Sequence, residues 1–384
     1  MSAFLSIVIP TCNRKIYLKY AIASALNLCA AQNDIEIIVS ENHSRDGTWE
    51  YLQSISDKRI TIIRPPKALS AHEHFEYALS HVSGVWITFL GDDDAIMPHA
   101  LEHLKYIDKK YTSVEALFSP RAYYFWRDSA SLGSPATRTV GFSAREEWRD
   151  SKDQLERCLS GLIEYTELPQ MYSGSFQKKT LVDRVRRVHG AYFKSVTPDA
   201  NMALMGVLHT HKYLETGIPL SWVGTSQYVT HPGQQQIAKD RTSDLYGRLG
   251  NDGICHDSSL GNCYECWNFQ FCFLDAYLSA APVTNVEKIT YKLVHEIFIR
   301  SCALLYSRGN TSCVEKLAKS LDFPVPSVEQ LKTARLELAS ASANELYRYS
   351  AKESNDSSIL SHDGVLSQAY ARIKSQFTFD SVGS

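Results

Sequence analysis

Three adjacent carboxylates, Asp92-Asp93-Asp94, follow the apolar run Val85 to Leu90 and a single glycine, Gly91. Like charges so close repel one another and are costly to hold away from water without a compensating cation. A hard divalent ion, Mg²⁺ or Mn²⁺, bridging carboxylate to phosphate oxygens, meets that need. The plainer alternative is a helix cap by Asp94 or a neighbour. Two other polar segments also follow apolar runs. Pro10-Thr11-Cys12-Asn13-Arg14 would offer backbone N–H groups and one guanidinium to a phosphate, or merely cap a helix through Thr11 or Asn13. In Ser40-Glu41-Asn42-His43-Ser44-Arg45-Asp46-Gly47-Thr48, a carboxylate is placed to accept hydrogen bonds from a base or ribose, or the segment is a polar loop turning at Asp46-Gly47.

The elements that must position these residues alternate. Leu5 to Pro10, Ile35 to Glu41, Ile60 to Arg64 and Val85 to Leu90 read as strands. Tyr17, Leu18, Ala21, Ile22, Ala25 and Leu26 repeat at helical spacing, as do Ala71, Phe75, Ala78, Leu79 and Val82. Gly47 to Ile55 reads as a short helix, and Pro98 as the start of another. Unbroken apolar strands joined by helices predict an α/β fold with a mostly parallel sheet buried on both faces. In such sheets ligands bind at the carboxyl ends of the strands, where all three polar segments fall.

From Tyr123 to about Gln235 the pattern is less regular, and after about 265 it is helical. Ile289, Leu293, Ile297 and Cys302 lie near one stripe, and Val328 to Tyr349 is rich in helix formers, predicting a separate α-helical appendage. Residues 351 to 363 read as a polar linker. The boundaries drawn are 1–118, 119–235 and 236–384.

In order, VIPTCNR, IIVSENHSRDGT and GVWITFLGDDDAIMP closely resemble the nucleotide-sugar half of glycosyltransferase family 2. The resemblance implies a GT-A fold, Rossmann-like, with residues 1–118 binding the nucleotide-sugar and 119–235 the acceptor. It assigns Pro10, Thr11, Asn13, Arg14, Glu41, Asn42, Asp92 and Asp93 to the nucleotide-sugar, with Glu41 where an Asp is commoner. Gly91 takes the first acidic place of the longer D-x-D-D pattern, which makes Asp93 the first choice of metal ligand, followed by Asp92 and Asp94. More weakly, MYSGSFQKKTLVDRV and HGAYFKSVTPDANMALMGVL resemble the acceptor half of bacterial members. There Asp199, between Pro198 and a small-residue helix, matches the catalytic base; a dipole-favoured first-turn residue is the alternative. His231, in Thr230-His231-Pro232-Gly233-Gln234, falls where members close a loop over the diphosphate, as a third metal ligand or a phosphate contact, or lies in a plain surface loop.

The implied reaction is inverting, metal-dependent transfer from a nucleoside-diphosphate sugar to a glycan or lipid-linked acceptor in polysaccharide biosynthesis. A catalytically silent, glycan-binding relative is the rival. A G-x-G-x-x-G after a strand and a P-loop are both missing from the sequence, which disfavours dehydrogenases and P-loop enzymes. The 384 residues carry 40 Lys and Arg against 42 Asp and Glu, a balance that argues against a bulk-charge nucleic-acid binder. No basic leader precedes the first strand, and later apolar runs are interrupted by charge, so a cytoplasmic protein is expected. Lys178, Lys179, Arg184, Arg186, Arg187 and Lys194 stand near Asp183 alone, either as a solvated face or as a surface for the inner leaflet of a membrane or an acceptor diphosphate. The helical C-terminus is the expected self-association surface. Cys255, His256, Cys263 and Cys266 could form a zinc site, but one C-x-x-C knuckle favours reduced thiols.

Overall fold

In the computed structural model the described residues are 3–28, 34–126, 136–140, 142–195, 197–226, 268–280, 291–346, 349–353 and 371. The chain runs β1 (Leu5–Thr11), α1 (Lys15–Leu26), β2 (Ile35–Glu41), α2 (Thr48–Gln53), β3 (Ile60–Ile63), α3 (Ala71–Leu79), β4 (Trp86–Phe89) and β5 (Ala95–Ile96). It continues through α4 (Ala100–Lys110), β6 (Ala116–Phe118), β7 (Ala122–Phe125), β8 (Ala136–Val140), β9 (Glu146–Asp150), α5 (Ser151–Leu159), a 3₁₀ turn (Tyr165–Glu167), β10 (Phe176–Lys178) and α6 (Lys179–His189). Then come α7 (Pro198–Leu208), β11 (Lys212–Thr216), β12 (Ser221–Thr225), α8 (Phe269–Ala280), α9 (Tyr291–Ser307), α10 (Thr311–Leu321), α11 (Val328–Leu346) and β13 (Tyr349–Glu353).

The larger sheet has the order β3-β2-β1-β4-β10-β6-β11-β9. Its first four strands are mutually parallel, as the apolar runs predict. Every residue of β1 is buried, because helices cover both faces. Thr11 pairs with Glu41 and Phe89 with Val8, so the loops after β1, β2 and β4 open at one edge of the sheet. β10 then enters between β4 and β6, antiparallel to both. The segments 1–118 and 119–235 therefore share one continuous sheet.

A smaller sheet, β13-β8-β7-β12-β5, lies beside that edge. It shifts the helix expected at Pro98: Ala95 and Ile96 pair with Trp222 and Ser221, and α4 begins only at Ala100. Residues 351–353, expected in a linker, instead complete β13, whose pairing with β8 satisfies backbone groups that an edge would leave open. The remainder of that segment lies outside the described residues.

The C-terminal helices are present, as expected, but they are not separate. Phe271, Leu274 and Tyr277 of α8 share one apolar cluster with Leu155 and Leu159 of α5 and Ala203 and Leu204 of α7. Ile297 and Cys302 of the expected stripe are fully buried in it. Buried polar contacts bind the two parts further. Ser195 donates to Asp275 at 2.9 Å, and the Arg300 guanidinium donates to the carbonyl of Leu159.

Candidate active site

Asp92, Asp93 and Asp94 are all buried at the edge where β4 ends. Gly91 is required there, since a Cβ would lie 2.7 Å from both the Asp94 carboxylate and the Tyr172 hydroxyl. Asp94 binds the turn to its surroundings: its oxygens accept from the amides of Gly91 (3.1 Å) and Gly224 (2.7 Å) and from the Ser173 hydroxyl (3.3 Å). Burial, and then the charge of Asp93, push its carboxyl up to about 7. Asp92 accepts from Thr11 Oγ1 at 2.8 Å and pairs with Arg14 Nη1 at 2.8 Å. Asp93 pairs with Arg14 as well and accepts from Ser226 Oγ at 2.8 Å. Its backbone carbonyl receives the indole N–H of Trp126 at 3.0 Å.

Arg14 is therefore held by carboxylates, where sequence reasoning assigns it to phosphate. Burial works against its charge, but Asp92 and Asp93 outweigh that and raise its pKa above the ordinary value. Its Nε is buried without a hydrogen-bond partner.

The loops after β1 and β2 are joined by side chains that bond to the opposite backbone. Asn13, at φ 56°, accepts from the Arg45 amide (2.7 Å) and donates its own amide to Ser44 Oγ (2.8 Å). Asp46 caps the start of α1 through the Lys15 amide at 2.9 Å. Asn42 uses its side-chain amide on both backbone groups of Leu69, at 2.8 and 2.9 Å. Glu41 is fully buried; it accepts from the Ser44 amide and pairs with Arg64 at 2.9 Å, whose guanidinium lies 4.6 Å above the Trp49 ring. Beneath them His74 Nε2 meets Ser40 Oγ at 2.8 Å, and burial pulls that imidazole down to about 3, so it is neutral.

Asp199 stands in the first turn of α7 behind Pro198, half-buried, where the helix dipole favours a carboxylate. Its Oδ2 accepts from the Tyr165 hydroxyl at 3.0 Å. Tyr165 stacks on Phe273 of α8 with ring centroids 6.2 Å apart. Tyr172, near enough to Asp199 and to the triple aspartate to feel the charges of both, is tied to β4 by a bridge to Phe89. Burial, followed by the charges of Asp94, Asp93 and Asp199, pushes its phenol well above the usual range, so it keeps its proton. Arg121 donates to Gln170 at 2.9 Å and contributes positive charge felt by both Asp94 and Tyr165.

Over residues 6–130 the chain matches the family Glycosyl transferase family 2. That segment is similar to the family. Among curated relatives, the chain is 35% identical over 103 residues to the GalNAc(5)-diNAcBac-PP-undecaprenol beta-1,3-glucosyltransferase of Campylobacter jejuni, covering 26% of this chain and 33% of that protein. It is 34% identical over 89 residues to the Escherichia coli UDP-Glc:alpha-D-GlcNAc-diphosphoundecaprenol beta-1,3-glucosyltransferase WfaP, covering 23% of this chain and 35% of that protein. The matches thus span about a third of each of these relatives' length. The solved structure of S. aureus TarS 1-349 with UDP-GlcNAc aligns over 91% of this chain and 92% of that chain, at 13% identity and a TM-score of 0.47.

Within the matched segment the structure brings Thr11, Arg14, Asp92 and Asp93 together directly, with Pro10, Asn13, Glu41 and Asn42 shaping the adjoining loops. Asp199 lies close enough to Tyr172 for its charge to be felt by the phenol. His231, Cys255, His256, Cys263 and Cys266 lie outside the described residues, and among the described ones no group of three or more His, Cys, Asp or Glu converges to hold a metal by itself. The basic stretch near α6 is largely neutralised by acids distant in sequence. Lys178 pairs with Asp108 (2.8 Å), Arg184 with Glu115 (2.8 Å) and Arg186 with Glu76 (2.6 Å), besides Lys179 with Asp183 (2.7 Å). Sequence reasoning overlooks Tyr165, Tyr172, Arg121, Trp126 and Ser226. The segment MYSGSF carries the signal for Tyr172; nothing local marks the others.

Proposed function

We propose that the chain is an inverting glycosyltransferase that moves a sugar from a nucleoside-diphosphate sugar to a hydroxyl of a lipid-linked or glycan acceptor. The observation that carries this reading is the buried, cation-holding pair Asp92 and Asp93 at the strand ends of a segment that matches family 2, with Asp199 near the Tyr172 that also feels their charges. Buried carboxylates with hard oxygen donors fit Mg²⁺ or Mn²⁺, which commonly take one or two protein carboxylates and complete their shell with phosphate and water. That Arg14 already serves them as a cation, with its Nε unmatched, supports the fit. When bound, the metal would neutralise charge building on the leaving diphosphate.

The protein's own groups do the rest. Asp199 accepts the proton of the acceptor hydroxyl as that oxygen bonds to the anomeric carbon and the bond to the diphosphate breaks, inverting the centre. Tyr165 holds Asp199 in orientation through its 3.0 Å hydrogen bond. Glu41 and Asn42 shape the nucleoside side, and Trp126 fixes the backbone of Asp93. Two relatives carry undecaprenol diphosphate in their names, which favours a lipid diphosphate as acceptor. No described helix is long and apolar enough to cross a membrane, so such an acceptor would be met at the membrane surface. Because Lys178, Lys179, Arg184 and Arg186 are already paired, that meeting would not depend on those four cations.

Melting the protein with Mn²⁺ and UDP, GDP or dTDP in turn tests the reading. A stabilisation that needs both metal and one nucleotide is expected. Failure of every combination would sink it.

A further inference from the structure

Arg14 serves the two carboxylates that the proposed function gives to metal. Its Nη1 lies 2.8 Å from Asp92, a second contact reaches Asp93, and Nη2 lies 2.5 Å from Ser226 Oγ. The guanidinium lies 5.4 Å from the Tyr17 ring. A guanidinium and a divalent ion cannot share these oxygens, since two cations at contact distance in a buried site repel strongly. One must leave. Two features mark Arg14 as the group that moves. It sits at the N-cap of α1 on the loop after β1, so rotation of its own side chain redirects the guanidinium while the sheet stays in place. Its Nε is buried without an acceptor, so the aspartates do not saturate its fork. Planar guanidinium forks match phosphate as well as carboxylate.

We propose that Arg14 is a built-in counter-ion that competes with divalent metal for Asp92 and Asp93 and transfers to the donor's diphosphate once metal and donor arrive together. This rests on the proposed function but is separable from it. Without donor, Arg14 keeps the buried carboxylates neutralised and metal binds weakly. With donor, the displaced guanidinium gains an anionic partner, and the diphosphate bridges the two cations. Metal and nucleotide then favour each other's binding, and the coupling is reciprocal.

The test measures Mn²⁺ alone by electron paramagnetic resonance at pH 8, and UDP at saturating Mn²⁺ by calorimetry, for the wild type, Arg14→Ala and Arg14→Gln. Both variants remove the charge, and the glutamine keeps a polar stem should the alanine protein not fold. The expected result is Mn²⁺ alone bound about tenfold more tightly in the variants, with UDP bound about tenfold more weakly, so that their mutual enhancement collapses. Unchanged or weaker binding of Mn²⁺ alone in a folded variant overturns the role of Arg14, while wild type that still binds UDP with Mn²⁺ leaves the proposed function intact. Wild type that binds no nucleotide with Mn²⁺ overturns both.

Discussion

The two sides of the site are built differently. On the donor side Asp92, Asp93 and Asp94 are buried, and hydroxyls, backbone amides and a guanidinium meet them before any ligand arrives. On the acceptor side Asp199 is half-buried, oriented by one tyrosine hydroxyl and the start of a helix, and that tyrosine rests on α8. The site proposed to hold diphosphate is stiff and charge-matched, whereas the residue proposed as base is left with few partners. The difference teaches that the two functions should fail separately.

The largest expected effect isolates the acceptor side. Asp199→Asn should lower turnover by about 10² to 10⁴-fold, while the melting shift produced by Mn²⁺ and nucleotide stays at its wild-type size. Loss of that shift as well would show that the sides are not independent. The donor side should break next through Gly224→Ala, because a Cβ there would lie 1.7 Å from the Asp93 carbonyl oxygen. Urea unfolding should register a loss of about 1 to 3 kcal/mol, along with a weakened nucleotide shift.

Acid should also reach the donor side through His74. Its folded pKa of about 3 lies below its ordinary 6.5, so the unfolded chain takes up a proton that the native state refuses. The stability concerned is fully present above about pH 6.5 and is lost as pH falls toward 3, reaching about 2 kcal/mol at pH 5. His74→Gln should therefore lose less stability between pH 7 and pH 5 than wild type does; an equal loss would contradict a neutral, buried imidazole. The smallest effect belongs to Tyr165→Phe. Removing one hydrogen bond to Asp199 should cost at most about tenfold in turnover, with KM for the donor unchanged.

The same division decides what was legible in the sequence. β2 is found at Ile35–Glu41 as its apolar run predicts, and the acidic turn follows β4, because a strand and the loop after it are written in consecutive residues. The partners that finish the site are not consecutive. Ser226 reaches Asp93 from beyond β12, and Tyr165 reaches Asp199 across α6. The α6 stretch reads as basic because Glu76, Asp108 and Glu115 are far away along the chain and close only in space. α8 reads as an appendage for a related reason: its apolar residues identify a buried helix, but not that α5 and α7 bury it. Arg14 shows the limit for charge, since its type predicts an anionic partner and cannot say whether that anion belongs to the protein or to the ligand.

The place of β10 in the larger sheet carries a consequence for synthesis. A growing chain can assemble β1, β2, β3 and β4 as soon as the first helices have formed, since the pairings among those four strands need no later segment. Of the larger sheet β6 is made next, yet its neighbours there are β10 and β11, which do not leave the ribosome until much later. Until then the exposed side of β4 stays open, and pairing across such long stretches is slow. The first four strands are therefore a unit that can ripen on the ribosome, while the rest of the sheet must wait for the chain to return, and the interval between is when the nascent chain is most open to aggregation.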